Sequence, residues 1–289
     1  MTASNELRLK TLPSTPTMLL KAAITRKKPG TTPIFPNQIL EVASVQTNIK
    51  QLARYNQACG FGDDISTLSV SFLHVQVFRL QMKMMLSKEF PLSPMGCVHL
   101  SNTITQHRLI SRNEALRLSC KIVDNKITDK GYEFTFHCEA FYGEELVWED
   151  TSCYLSRAKT NVTGGPKAGR AEPRTYAQSI SININRSDAR KYSRASGDFN
   201  PIHLHDFSAK LLGFKRMVIH GMWSKAACLA ALSGQIKEPA YRCHVDFKTP
   251  IFLPVGVRLD YETNGANLDF ELRDKKGVKP HLKGYVQPL

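Results

Sequence analysis

Residues 192–205 read Tyr-Ser-Arg-Ala-Ser-Gly-Asp-Phe-Asn-Pro-Ile-His-Leu-His, which puts a carboxylate, an amide, a proline and two imidazoles into fourteen positions. Asp198 and His203 stand five apart. Gly197 is free to take positive φ and Pro201 fixes φ at about −65°, so the backbone between the pair is expected to bend rather than run as a helix. A bend aims both side chains at one point, which suits general acid–base chemistry. Upstream, Ser179–Ile184 reads as a strand and Ser187–Ser196 as a helix with Ser187 as its N-cap. Downstream, Phe207–Gly213 reads as a short helix. After His220-Gly221, the small and apolar run Met222–Ile236 predicts a helix of about 15 residues and about 22 Å. Tyr241–Lys248, Gly256–Thr263, Asn267–Arg273 and Leu282–Gln287 alternate as strands.

The first half repeats this plan. Residues 1–40, with Pro13, Pro16, Pro29, Pro33 and Pro36, show no long periodic run and are expected to form a surface arm. Gln38–Ala58 turns helical toward a stop at Gly60. Ser66–Glu89 is apolar nearly all round in its second half and predicts a buried helix, and Val98–Ile110, Ala115–Val123 and Tyr132–Leu155 predict strands, the last turning at Gly143-Glu144-Glu145. Tyr55-x4-Gly60 answers Tyr192-x4-Gly197, and His74 answers His220 at the head of each long helix. Between glycine and helix-head histidine the first half is shorter, and the missing part is the Asp198–His203 segment. A duplication is therefore expected, with 1–160 holding an arm and a motif-free domain, 161–174 a Gly- and Pro-rich linker, and 175–289 the domain that carries the chemistry.

Ser196-Gly-Asp-Phe-Asn-Pro-Ile-His203, followed seventeen residues on by His220-Gly221-Met222, resembles the MaoC-like family of (R)-specific enoyl-CoA hydratases and acyl dehydratases. The resemblance implies an α+β double hot-dog, two antiparallel sheets each wrapped round a long central helix. It further implies a hydro-lyase acting on a thioester of coenzyme A or acyl carrier protein, with Asp198 and His203 as catalytic pair. The positive end of the helix starting at Gly221 would polarise the thioester carbonyl. Asn200, Pro201 and His220 are expected to orient the loop, and Met222 and Trp223 to wall the acyl tunnel. Where a hydroxyl residue would be expected on the long helix stands Leu229, with Ser224 earlier. A hot-dog thioesterase, or a non-catalytic module binding acyl thioesters, are the alternative functions.

The formal charge of +14 implies an acidic partner. The basic residues fall in short scattered groups, among them Arg26-Lys27-Lys28 and Lys275-Lys276, without a helix-turn-helix or aromatic signature, which argues against nucleic acid. Arg194, Lys215 and Arg216 flank the motif and are the candidates for substrate phosphates. Seven cysteines without a Cys-x-x-Cys pair argue against a disulfide framework or a zinc knuckle and fit a reducing cytoplasm. No run reaches the roughly 18 apolar residues of a membrane span. No metal or other cofactor is expected: the bend at Pro201 disfavours Asp198, His203 and His205 as ligands. His205 and Asp206 are read as surface, and His74, His99 and His244 as structural. Whether two chains pair as a homodimer stays open.

Overall fold

A computed structural model of the protein describes residues 5–27, 30, 32–165 and 174–289. Lys28, Pro29 and most of the expected linker, 166–173, lie outside these residues. The elements in chain order are β1 (Asn5–Leu9), α1 (Thr15–Ile24), β2 (Gln38–Val45), α2 (Ile49–Cys59), α3 (Phe72–Met85), β3 (Cys97–Gln106), β4 (Leu116–Thr128), β5 (Gly131–Tyr142) and β6 (Glu145–Arg157). They continue with β7 (Gln178–Ile184), α4 (Arg186–Ser196), α5 (Asp206–Leu211), α6 (Gly221–Ala231), β8 (Tyr241–Phe247), β9 (Val255–Asn264), β10 (Asn267–Asp274) and β11 (Pro280–Pro288). The chain divides into two compact units.

The first unit comprises Met1–Gln46, Leu73–Thr103 and Asn113–Ala171. Its strands lie in the order β1-β2-β4-β5-β6-β3. β5 pairs antiparallel with β4 and with β6, and the β4–β5 turn closes at Gly131, whose φ of 139° residues with a side chain rarely adopt and where a Cβ would stand 2.1 Å from the Ser156 carbonyl. α3 is buried on nearly every side, as its apolar composition requires. His74 of α3 takes the structural role expected of it: its Nδ1 donates to Asp150 Oδ2 at 2.8 Å, and Asn102 and Ser152 donate to the same carboxylate. His99 stacks on Tyr154, with ring centroids 4.4 Å apart.

The expected arm is not free of structure. β1 pairs in parallel with β2, Asn5 opposite Gln38 through Leu9 opposite Val42, so its strand state comes from a distant partner and not from its own pattern. α1 tolerates Pro16 because the proline sits in the first turn, where the missing N–H has no acceptor to lose. Arg79 of α3 donates to the Pro13 and Leu12 carbonyls. Lys27, from one of the scattered basic groups, donates to the carbonyls of Met85, Ser87 and Phe90 and closes the C-terminal end of α3. Burial lowers its pKa.

The second unit comprises Thr47–Phe72, Ile104–Arg112 and Glu172–Leu289, with strand order β8-β11-β10-β9-β7, all pairs antiparallel. α6 is its buried helix, shorter than expected at 11 residues, or about 16 Å. Leu232 breaks the pattern and Ser233–Gln235 make a single 3-10 turn, since Ser-Gly is a poor helical pair. Lys225, inside α6, is fully buried and donates to the Cys243 carbonyl at 3.0 Å. α4 starts one residue earlier than expected. Its N-cap is Asn185 rather than Ser187, because Asp188, three residues on, reaches back to accept from the Asn185 N–H at 2.8 Å.

α2 comes from the N-terminal half yet packs in this unit. Gln51 donates to the Ala195 carbonyl at the end of α4, Trp223 of α6 donates to the Ala58 carbonyl, and the rings of Tyr55 and Tyr192 lie 5.9 Å apart. α2 and α4 are matched in detail: each has an asparagine N-cap and each stops at a left-handed glycine, Gly60 at φ 86° and Gly197 at φ 79°.

Candidate active site

Gly197 turns the chain off α4, and three short side chains then fold the loop onto itself. Ser196 Oγ donates to the Tyr192 carbonyl and accepts from the Asp198 N–H at 3.1 Å. Asp198 Oδ1 accepts from the Asn200 N–H at 3.1 Å, and Asn200 Oδ1 from the Ile202 N–H at 3.4 Å. Asn200 thus caps the turn that Pro201 opens. The expected bend contains one turn of 3-10 helix, Pro201–His203, which the proline starts without losing a hydrogen bond. One oxygen of Asp198 is committed to the backbone, and its side chain stays 25% exposed.

His203 Nδ1 lies 2.7 Å from the Val218 carbonyl. A carbonyl only accepts, so Nδ1 carries the hydrogen and the neutral ring keeps its lone pair on Nε2. Val218 is itself tied to the turn, its N–H donating to the Ile202 carbonyl at 3.1 Å. The His220 ring stacks on His203, with centroids 3.6 Å apart, and its Nε2 donates to the Asp198 carbonyl at 3.0 Å. His220 therefore holds the backbone of one partner and the ring plane of the other. A ring nitrogen from each histidine and a carboxylate oxygen of Asp198 lie within 4.8 Å of one another.

Burial pushes the His203 pKa below its usual range, opposed by the Asp198 carboxylate and the Val218 carbonyl. For His220, burial and then the adjacent His203 push it well below. The 3.9 Å approach of His220 to Asp198 Oδ2 is accordingly not an ion pair near neutral pH. Both imidazoles are neutral when folded, whereas in the unfolded chain histidine titrates near 6.5. Below about pH 6.5 the unfolded state binds more protons, so stability falls as pH drops. The melting temperature is expected to decline between about pH 7 and 5 and to decline less steeply in His203→Asn; parallel profiles for the two proteins would contradict this.

Three groups so close invite a metal reading, and the ring geometry argues against it. A ligand nitrogen binds a metal in the plane of its imidazole at about 2.0–2.1 Å. Rings stacked 3.6 Å apart and tilted by only 26° do not share such a point without moving.

Gly221 opens α6, and the N–H groups of its first turn have no acceptor within the helix. A Cβ there would stand 3.1 Å from Cε1 of Phe247, so close packing of that ring is one reason for glycine. Met222 and Trp223 are buried, and the Trp223 indole is anchored to α2. Leu229 is buried in α6 and Ser224 Oγ donates to the His220 carbonyl at 3.3 Å. Arg194, Lys215 and Arg216 are exposed. Asp206 is more than surface: it accepts from the Met217 N–H at 2.9 Å and pairs with Arg186. Sequence reading missed the Val218 carbonyl, a backbone acceptor without a residue signature, and Ser193, buried 3.4 Å from His220 Nε2. Ser196 and Gln51 were legible only as helix residues.

A buried helix backed by an antiparallel sheet, with a carboxylate–imidazole loop at the helix N-terminus, defines a hot-dog protein with a candidate site at the head of that helix. Residues 167–283 match the model of the MaoC-like domain family. The chain is 26% identical over 258 residues to 3-hydroxyacyl-thioester dehydratase X of Mycobacterium tuberculosis, covering 88% of this chain and 91% of that protein. The crystal structure of HtdX from Mycobacterium tuberculosis aligns with a TM-score of 0.77 at 26% identity, over 86% of this chain and 99% of that one. A second Mycobacterium tuberculosis protein, described as a double hot-dog fold, aligns with a TM-score of 0.58 at 11% identity, over 93% and 97% of the two chains. The fold is a double hot-dog. Among the described residues no helix is long and apolar enough to cross a membrane.

Proposed function

We propose that the protein is a hydro-lyase interconverting a 2-enoyl thioester and an (R)-3-hydroxyacyl thioester of coenzyme A or acyl carrier protein. The observation that carries this reading is the meeting of a part-exposed carboxylate with a neutral imidazole at the N-terminus of α6. The likeness to a protein named a 3-hydroxyacyl-thioester dehydratase, along most of both chains, supports it.

In hydration, water held by the free oxygen of Asp198 gives a proton to His203 Nε2 as its oxygen bonds to C3. The C2–C3 π electrons move toward the thioester carbonyl, whose growing negative charge is met by the first-turn N–H groups of α6 at Gly221. The imidazolium of His203, steadied by the Asp198 carboxylate, then delivers the proton to C2. No proton is gained or lost over the cycle, and dehydration is the reverse. Asn200, Pro201 and His220 set the loop, Met222 and Trp223 wall the acyl chain, and Arg194, Lys215 and Arg216 meet phosphate. The N-terminal half, 1–160, is the motif-free copy of the domain at 175–289. A reducing cytoplasm suits the seven unpaired cysteines.

The test is an ultraviolet assay of 2-enoyl thioesters over a chain-length series, with free thiol followed in parallel. The proposal expects loss of enoyl absorbance without thiol release; thiol release without hydration would replace it with a thioesterase.

A further inference from the structure

Next to the catalytic turn the protein presents an apolar surface that acid–base chemistry does not use. Phe207 and Leu211 stand four residues apart on α5, hence on one face, and are 74% and 73% exposed. Leu212 follows at 45%, and Phe199, between Asp198 and Asn200, is 38% exposed. Single exposed apolar residues are ordinary, whereas a group of them rimmed by charge marks an interaction site. The patch is fixed to the active loop. Ser208 Oγ donates to the Pro201 carbonyl at 2.7 Å, and Asp206 ties α5 to Met217, beside the Val218 that holds His203.

The rim is basic. Lys210, Lys215 and Arg216 are exposed, and Lys215 and Arg216 form no salt bridge among the described residues. The single acid in 206–216, Asp206, is engaged by Arg186 and the Met217 N–H. An occupant of this surface carries negative charge around apolar groups.

We propose that α5 with its basic rim is the docking surface for an acidic acyl carrier protein that delivers the thioester, which rests on the hydro-lyase reading above and selects between its two carriers. Cations alone serve the phosphates of coenzyme A and of a carrier protein equally. Phe207, Leu211 and Leu212 have no use for a free nucleotide thioester, whereas a protein partner buries them and gains most of its affinity from a few such anchors. The charges steer the encounter. A second copy of this chain fits less well, because a two-fold contact through this face sets Lys210, Lys215 and Arg216 against their own copies.

The experiment compares the wild type, Phe207→Ser/Leu211→Ser and Lys210→Glu on a 2-enoyl carrier-protein thioester and on the matching coenzyme A thioester, with direct titration of the phosphopantetheinylated carrier protein. KM for the carrier-protein thioester is expected to rise about tenfold or more in the double variant and less in Lys210→Glu. Turnover at saturation stays unchanged, coenzyme A kinetics stay within about twofold of wild type, and the titration weakens in parallel. Equal kinetics of wild type and both variants on the two thioesters overturns the proposal. So does a change of oligomeric state in the double variant, which assigns the face to a second copy, or loss of wild-type binding to anionic vesicles, which assigns it to a membrane. If the wild type turns over neither thioester, the hydro-lyase reading fails, and the titration still decides the docking surface.

Discussion

Asp198→Asn and His203→Asn are each expected to lower kcat/KM for crotonyl-CoA hydration by about 10²–10⁴-fold, the range that a positioned acid–base group contributes. Each change is chosen to spare the fold. Asparagine at 198 keeps an oxygen for the Asn200 N–H and loses only the charge that steadies the His203 imidazolium. Asparagine at 203 places an amide N–H where Nδ1 stood, so the Val218 carbonyl keeps a donor while the Nε2 lone pair is gone. The two losses are expected to be far from additive, because in the proposed mechanism the groups act as a unit on one water. Kinetics measured beside thermal melts separate the outcomes: wild-type rates in either variant, or collapse of the fold in both, would contradict these roles.

Asp150→Ala is expected to be the most destabilising single change in the first unit, by about 3–5 kcal/mol. The carboxylate is fully buried and receives His74, Asn102 and Ser152 at 2.6–2.8 Å. Burial alone would raise its pKa, and the His74 ring with the two neutral donors brings it instead to about 2. Its folded pKa is thus below the unfolded one, and its contribution is held above about pH 4 and lost as pH falls toward 2. Removing it takes the acceptor from the buried His74 Nδ1–H and Ser152 hydroxyl and one acceptor from Asn102, which also donates to Ser152 at 3.0 Å. A melting temperature lower by on the order of 10 °C near neutral pH is expected, and a shift of 2 °C or less would show that the network relaxes around the gap.

The loop of the candidate site was legible because its polar residues sit in one window. Residue types at fixed spacing, Gly197, Asp198, Asn200, Pro201 and His203, specify turns that each side chain builds locally, and those turns are present. The strands and the buried α3 were equally readable, since alternation and an all-round apolar pattern report burial directly. What stayed hidden depends on partners far along the chain. β1 is a strand because β2 pairs with it across 33 residues, and Asp150 matters because His74 lies 76 residues away. That α2 packs on α4 and α6 has no local signal: Gln51 and Ala195 are 144 residues apart. Chain order therefore suggested two successive domains, while the contacts draw α2 to the C-terminal elements.

The most direct test of the central claim is hydration of crotonyl-CoA in D2O by the wild type, with the product examined for configuration at C3 and for deuterium at C2. A His203 that passes a solvent-derived proton from water to carbon predicts (R)-3-hydroxybutyryl-CoA bearing one deuterium at C2, formed about 10²–10⁴-fold more slowly by Asp198→Asn under the same conditions. Release of free coenzyme A with the enoyl group intact, or unaltered crotonyl-CoA after prolonged incubation with the folded wild type, would contradict it.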